Sequence, residues 1–216
     1  MMSRNFILSC SIFWLCSLSF FAHAQKTTRY DLADLLQKNQ LVTKPSTETR
    51  KLENSIPGAI STKGMVWLKG VNFKEGTIDI DLRGKNVFLQ SFLGIAFHAV
   101  DTTTYDVLYF RPFNFRHADT LRRKWSVQYL SMPDYSWDKL RKEHPLVYEN
   151  AVSPVPEPDA WFHAAIVIRN GWISVFVNHA EQPSLKVRLL NDRNEGLLGL
   201  WDDELSGDFA NLTISR

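Results

Sequence analysis

In the last third of the chain four short runs rich in aromatic and branched aliphatic residues follow one another: Trp161-Phe162-His163-Ala164-Ala165-Ile166-Val167-Ile168, Trp172-Ile173-Ser174-Val175-Phe176-Val177, Gly196-Leu197-Leu198-Gly199-Leu200-Trp201 and Asp208-Phe209-Ala210-Asn211-Leu212-Thr213-Ile214. Each has the length of a strand and is bounded by turn-forming residues. Together they are expected to close an antiparallel β-sandwich, in which every run buries one face against a facing sheet.

The preceding hundred or so residues carry the same signal. Strands are expected over Ile56–Ile60, Val66–Leu68, Gly76–Leu82, Val87–Gln90, Phe92–Val100, Tyr105–Phe110 and Trp125–Leu130. Alternation is strict in the third of these, with Ile78, Ile80 and Leu82 on one face and Thr77, Asp79 and Asp81 on the other. Asp101-Thr102-Thr103-Thr104 suits a hairpin connection. Between Ser131 and Pro158 five prolines interrupt the pattern, and Trp137 and Leu140 among charged residues predict one or two helical turns. Leu32, Leu35 and Leu36 at helical spacing predict a short amphipathic helix within Tyr30–Val42, and Lys44–Ser55 reads as a polar connector. The expected fold class is therefore all-β, a two-sheet antiparallel jelly-roll sandwich with a short N-terminal helix.

Residues 1–24 begin with Arg4, continue through an apolar run from Phe6 to Phe21 and end in Ala22-His23-Ala24, the pattern of a cleavable secretory signal. The organisation expected is a signal peptide over 1–24, an N-terminal helix and connector over 25–55 and a sandwich domain over 56–216, exported to a periplasm or beyond. Both cysteines, Cys10 and Cys16, fall inside the signal. The mature chain is then expected to work without a disulfide, a cysteine nucleophile or zinc–thiolate chemistry. A formal net charge of +2 with no basic tail or acidic run gives no indication of a nucleic-acid partner, and no later segment has the length of a membrane span.

The order of the four C-terminal runs, with Phe92–Gln128 before them, resembles concanavalin A-like lectin/glucanase jelly rolls, particularly the laminin-G-like and 3-keto-disaccharide-hydrolase-like branches. The resemblance covers Val66–Arg216. It implies carbohydrate or a glycoconjugate as partner, bound on one curved face, and calcium as the metal several members carry. Asp101, Asp106 and Asp208 are the candidate metal ligands, in acidic turns whose spacing matches no calcium loop closely. The glucanase branch bears two glutamates flanking an aspartate on its catalytic strand. Thr77-Ile78-Asp79-Ile80-Asp81 lacks those glutamates, and its aspartates are expected on a solvent-facing stripe.

The densest polar cluster runs from Tyr105 to His117 and resumes at Ser126-Val127-Gln128. Planar donors beside aromatic rings suit a sugar, whose hydroxyls accept forked hydrogen bonds and whose apolar face stacks on a ring. Tyr109, Arg111, Asn114, Arg116, Gln128 and Trp201 are the candidate ligand-binding residues. His98 is the candidate general base, on the expectation that it shares a face with Tyr109 and Gln128. His163 is expected to be a packed, hydrogen-bonded residue. Three functions stay open at this point: a lectin-like binding domain, a glycoside hydrolase or keto-glycoside-cleaving enzyme on the same fold, and a structural or protein-interaction module.

Overall fold

The structure, a computed structural model, describes residues 26–216, so the expected signal segment lies outside the described residues. The elements in chain order begin with β1 (Thr27–Tyr30), α1 (Leu32–Gln37), β2 (Leu41–Thr43), β3 (Glu48–Lys51), β4 (Ile60–Lys63), β5 (Val66–Phe73) and β6 (Gly76–Arg83). Next come β7 (Ser91–Ala99), β8 (Tyr105–Phe110), α2 (Pro112–Phe115), α3 (Thr120–Arg123), β9 (Val127–Met132), α4 (Trp137–Glu143) and β10 (Glu149–Asn150). The chain closes with β11 (Phe162–Arg169), β12 (Trp172–Val177), β13 (Leu185–Arg188), β14 (Gly196–Glu204) and β15 (Gly207–Ser215).

These strands form two antiparallel sheets. One has the order β13-β12-β11-β6-β15-β4-β3 with β1 also on β15, and the other has the order β10-β9-β8-β7-β14-β5-β2. Alternation explains how they pack. Ile78, Ile80 and Leu82 of β6 are fully buried, facing Ile95, Phe97, Leu108 and Phe110 of the other sheet in one continuous core, while Thr77, Asp79 and Asp81 stay half-buried outside. The β11–β12 hairpin turns through Asn170 and Gly171, at φ of 51° and 74°, the paired left-handed backbone that a two-residue hairpin with the strands' own twist requires.

The N-terminal segment is more deeply built in than its polarity suggested. Helix α1 is capped by Asp31, which accepts from the Asp34 amide at 2.9 Å, and it sinks Leu32 into the core. β1 and β3, however, pair with β15 and β4, so part of the stretch read as a connector is sheet edge. Val87–Gln90, expected as a strand, is a loop: Val87, Phe88 and Leu89 are exposed and Leu89 has a φ of 57°. The run expected at Ile56–Ile60 begins instead at Ile60 as β4. Short β10 and half-polar β13 carried too little pattern to be anticipated.

Candidate functional site on the outer sheet face

Residues that alternate with the core set on the seven-stranded sheet point outward and form their own apolar clusters. Val107, Tyr109 and Leu130 make one, Trp67, Ala96 and Ala99 another, and Phe92, Tyr105 and Trp201 pack around them half-buried. Register places Trp201, Gly94, Tyr109, Gln128 and Glu149 side by side across five strands. Gly94 leaves a gap in that row. A Cβ there would stand 2.0 Å from the Leu108 carbonyl oxygen, so only glycine fits, and Trp201 and Tyr109 lean over it until their ring centroids are 5.1 Å apart.

Arg111 follows β8 and turns its guanidinium back over this row. Its Nη1 donates to the Trp125 carbonyl at 2.9 Å, and its Nη2 donates to both Tyr109 Oη and Gln128 Oε1. Tyr109 Oη in turn donates to Gln128 Oε1 at 2.7 Å. Glu149 supplies the counter-charge: its Oε2 lies 3.6 Å from Arg111 Nη1, and both its oxygens accept from Arg141 of α4, at 3.1 and 2.7 Å. Burial pushes the Tyr109 phenol up to about 12, although the arginines oppose it. Burial likewise lowers Arg111, with its tyrosine and Glu149 countering.

The expected convergence of Tyr109, Arg111 and Gln128 on one outer face is therefore present, and it lies under a cover. Leu140 of α4, itself 1% exposed, packs on Val107, Tyr109 and Leu130, and Arg111 retains only 5% exposure. These three side chains hydrogen-bond one another beneath the helix. The part of the face left accessible lies beside them, where Trp201 and Tyr105 are half-buried and Asp203 is exposed. Burial raises the Tyr105 phenol, a hydrogen bond from Trp201 lowers it, and the nearby Asp203 charge raises it further.

Asn114 and Arg116 stand apart from that accessible surface. Asn114, buried in α2, donates to the Trp125 carbonyl at 3.1 Å, the same oxygen Arg111 holds. Arg116 pairs with Glu157 at 2.9 Å and donates to the Pro156 carbonyl at 3.2 Å, tying down the proline-rich loop.

His98 does not share the face of Tyr109 and Gln128. A register shift between β7 and β14 and a φ of 48° at His98 reverse its direction, so the ring lies against Phe73 on the core side. Its Nε2 donates to the Lys74 carbonyl at 2.8 Å, which fixes the proton on that nitrogen, and its Nδ1 lies 3.7 Å from Asp106 Oδ2. Asp106 is also buried, its Oδ1 accepting from Tyr129 Oη and Asn191 Nδ2, both at 2.8 Å, and from Arg193 at 3.3 Å. Burial, reinforced by the Asp106 charge, drives the Tyr129 phenol far above its ordinary range.

The candidate metal ligands are in three separate places. Asp101 accepts from the amides of Thr103 and Thr104 at 2.7 and 2.8 Å and closes its own turn, Asp106 lies in the buried cluster, and Asp208 pairs with Arg83 at 2.8 Å. Among the described residues no three histidine, cysteine, aspartate or glutamate side chains gather to hold a metal. Asp101, Asp106 and Asp208 therefore do not come together as ligands of one site. Across the molecule, on the outside of the other sheet, His163 lies between Asp81 Oδ1 at 2.9 Å and Asp79 Oδ1 at 3.3 Å, with His179 stacked on it at 4.3 Å. Hydrogen bonds to Asp79 and Asp81 raise His163 to about 9.

Neither a protein-family model nor a curated protein matches the sequence. Among solved structures the chain is similar to the carbohydrate-binding module CBM66 from Bacillus subtilis, with a TM-score of 0.54, 11% identity and coverage of 78% of this chain and 94% of that one. It is also similar to a protein of unknown function with a galectin-like fold from Bacillus subtilis, with a TM-score of 0.55, 10% identity and coverage of 88% and 97%. The shared feature is the fold, a sandwich of the concanavalin A-like type.

Proposed function

On this concanavalin A-like sandwich, we propose that the accessible part of the outer face of the seven-stranded sheet binds a glycan and does not cleave it. The observation that carries the reading is the half-buried Trp201, held over Gly94 by Tyr109 and packed with Tyr105 around the Trp67–Ala96–Ala99 cluster, with the exposed Asp203 two residues further along the strand. A fixed indole offers a sugar its apolar face, and Tyr105 and Asp203 offer hydroxyl partners at its rim. Fold-sharing with a carbohydrate-binding module supports the same reading. Residues 1–24 of the sequence support export to a periplasm or the cell exterior.

Binding is favoured over cleavage by the state of the carboxylates. A retaining glycosidase needs two carboxyl groups about 5 Å apart with room for a sugar. Glu149 has both oxygens engaged by Arg141 and is 2% exposed. Asp202, next to the exposed Asp203, is itself buried, accepting from the Thr62 hydroxyl and the Gly64 amide. A glycan-array screen of the protein beside Trp201→Ala, with chromatography of every bound sugar, tests the reading. Capture of an intact sugar, lost in the variant, supports it; a sugar released shortened promotes hydrolysis, and capture unaffected by the variant moves the site elsewhere.

A further inference from the structure

Beside the accessible face, aromatic rings and guanidinium groups alternate along the surface. Arg122 of α3 lies 4.6 Å from the Phe88 ring centroid and 5.9 Å from that of Trp125. Arg141 of α4 lies 4.2 Å from Trp125 and 5.3 Å from Trp137. Phe88 and Trp137, at the two ends, are 46% and 51% exposed, far more than rings of that size retain when they serve only as core. Continuity with the glycan face is direct: Phe88 meets Phe113 at 5.7 Å, Phe113 meets Phe92 at 5.5 Å, and Phe92 meets Tyr109 at 6.2 Å.

Charge concentrates along the same stretch. Residues 111–149 hold eight arginines and lysines against five aspartates and glutamates, a net of +3 where the whole chain carries +2. Glu149 serves two arginines at once, Arg111 and Arg141, so that group keeps a positive excess. Among the described residues Arg122 has one acidic neighbour within salt-bridge distance, Asp119 at 3.9 Å, and such loose surface pairing leaves a guanidinium free to accept a new partner.

From this arrangement we infer that the glycan is acidic, and that the Phe88–Arg122–Trp125–Arg141–Trp137 ladder extends the sugar site along it. The inference rests on the glycan reading above. Rings between guanidinium forks fit a polymer that alternates the same two features, apolar pyranose faces and anionic substituents, uronate carboxylates or sulfate esters. A neutral glycan would use the rings and leave the arginines idle.

Titration calorimetry of the purified protein with uronate oligomers and with sulfated oligomers, each beside its carboxyl-reduced or desulfated counterpart, tests this and identifies the anionic group. The expected result is at least roughly tenfold tighter binding of the acidic member, weakening as salt rises, and a loss of about tenfold in Arg122→Gln for acidic members only. Phe88→Ala is expected to weaken binding while the melting temperature stays near that of the parent. Equal affinity for acidic and neutral members, with Arg122→Gln silent, overturns the ladder's role and leaves the glycan site standing. Binding of a single-stranded oligonucleotide with every sugar inert overturns both.

Discussion

Trp201 and Tyr109 touch at 5.1 Å although their strands, β14 and β8, are separated by β7. Neighbouring strands lie about 4.8 Å apart, so rings two strands away from each other close in most readily where the residue between them has no side chain, an absence that leaves room for both. Gly94 provides that absence. Gly94→Ala would set a Cβ 2.6 Å from Tyr109 Cα as well as against the Leu108 oxygen, and backbone on both counts cannot rotate aside. Guanidinium denaturation should show a loss of about 2–4 kcal/mol, at the upper end of single-substitution effects.

Glu149 holds Arg111 in place, and removing it should cost more than any surface charge on the protein. Glu149→Ala leaves a nearly buried guanidinium without its counter-ion, a change of about 3–5 kcal/mol. Replacing both partners by apolar residues, Arg111→Met with Glu149→Leu, is expected to recover most of that loss. Denaturant midpoints of the three variants check the order. An Arg111→Ala substitution is for the same reason a poor probe of ligand binding, because it alters the floor beneath α4.

Leu140 is the anchor of α4. Leu140→Ala should destabilise the fold by roughly 2–4 kcal/mol or release the helix locally. Hydrogen exchange distinguishes these outcomes: accelerated exchange confined to residues 137–143 reports local release, and acceleration throughout the sheets reports global loss.

Stability should fall as pH rises from mildly acidic to alkaline, in two steps from two groups. Burial raises Asp202 from 3.8 to about 7, against hydrogen bonds from Thr62, Gly64 and Gly207. Because the folded state holds that proton more tightly, the contribution is present below pH about 4 and lost as pH climbs through 7. His163, raised from 6.5 to about 9 by Asp79 and Asp81, contributes fully below pH about 6.5 and loses its contribution through 9. Asp81 acts oppositely: burial alone would raise it, but hydrogen bonds from His163 and Asn211 lower it below 3.8, so its contribution disappears only in strong acid. Melting temperatures against pH should therefore flatten between 4 and 7 in Asp202→Asn and between 6.5 and 9 in His163→Gln.

The sandwich was legible because its strands are amphipathic with a period of two, as β6 shows residue by residue. The grouping of Tyr109, Arg111 and Gln128 was legible for the same reason, since alternation along β8 and β9 assigns faces. Alternation failed at His98, where a single bulge inverts direction, an event decided by pairing with distant β14. Glu149 escaped notice because β10 is two residues long, and Leu140, expected within a helical turn, gave no sign of the sheet face it covers because a helix of seven residues carries too little periodicity. Val87–Leu89 misled in the opposite sense, its apolar residues being exposed rather than buried.

The most direct measurement is titration calorimetry of Trp201→Ala and of the parent protein against the best oligosaccharide, with the sugar recovered and analysed afterwards. The account predicts a loss of about tenfold or more in the variant, which melts below the parent because the indole packs on Tyr109 but stays folded at the titration temperature, and a sugar recovered intact. Undiminished binding by Trp201→Ala, or recovery of a cleaved sugar, would contradict it.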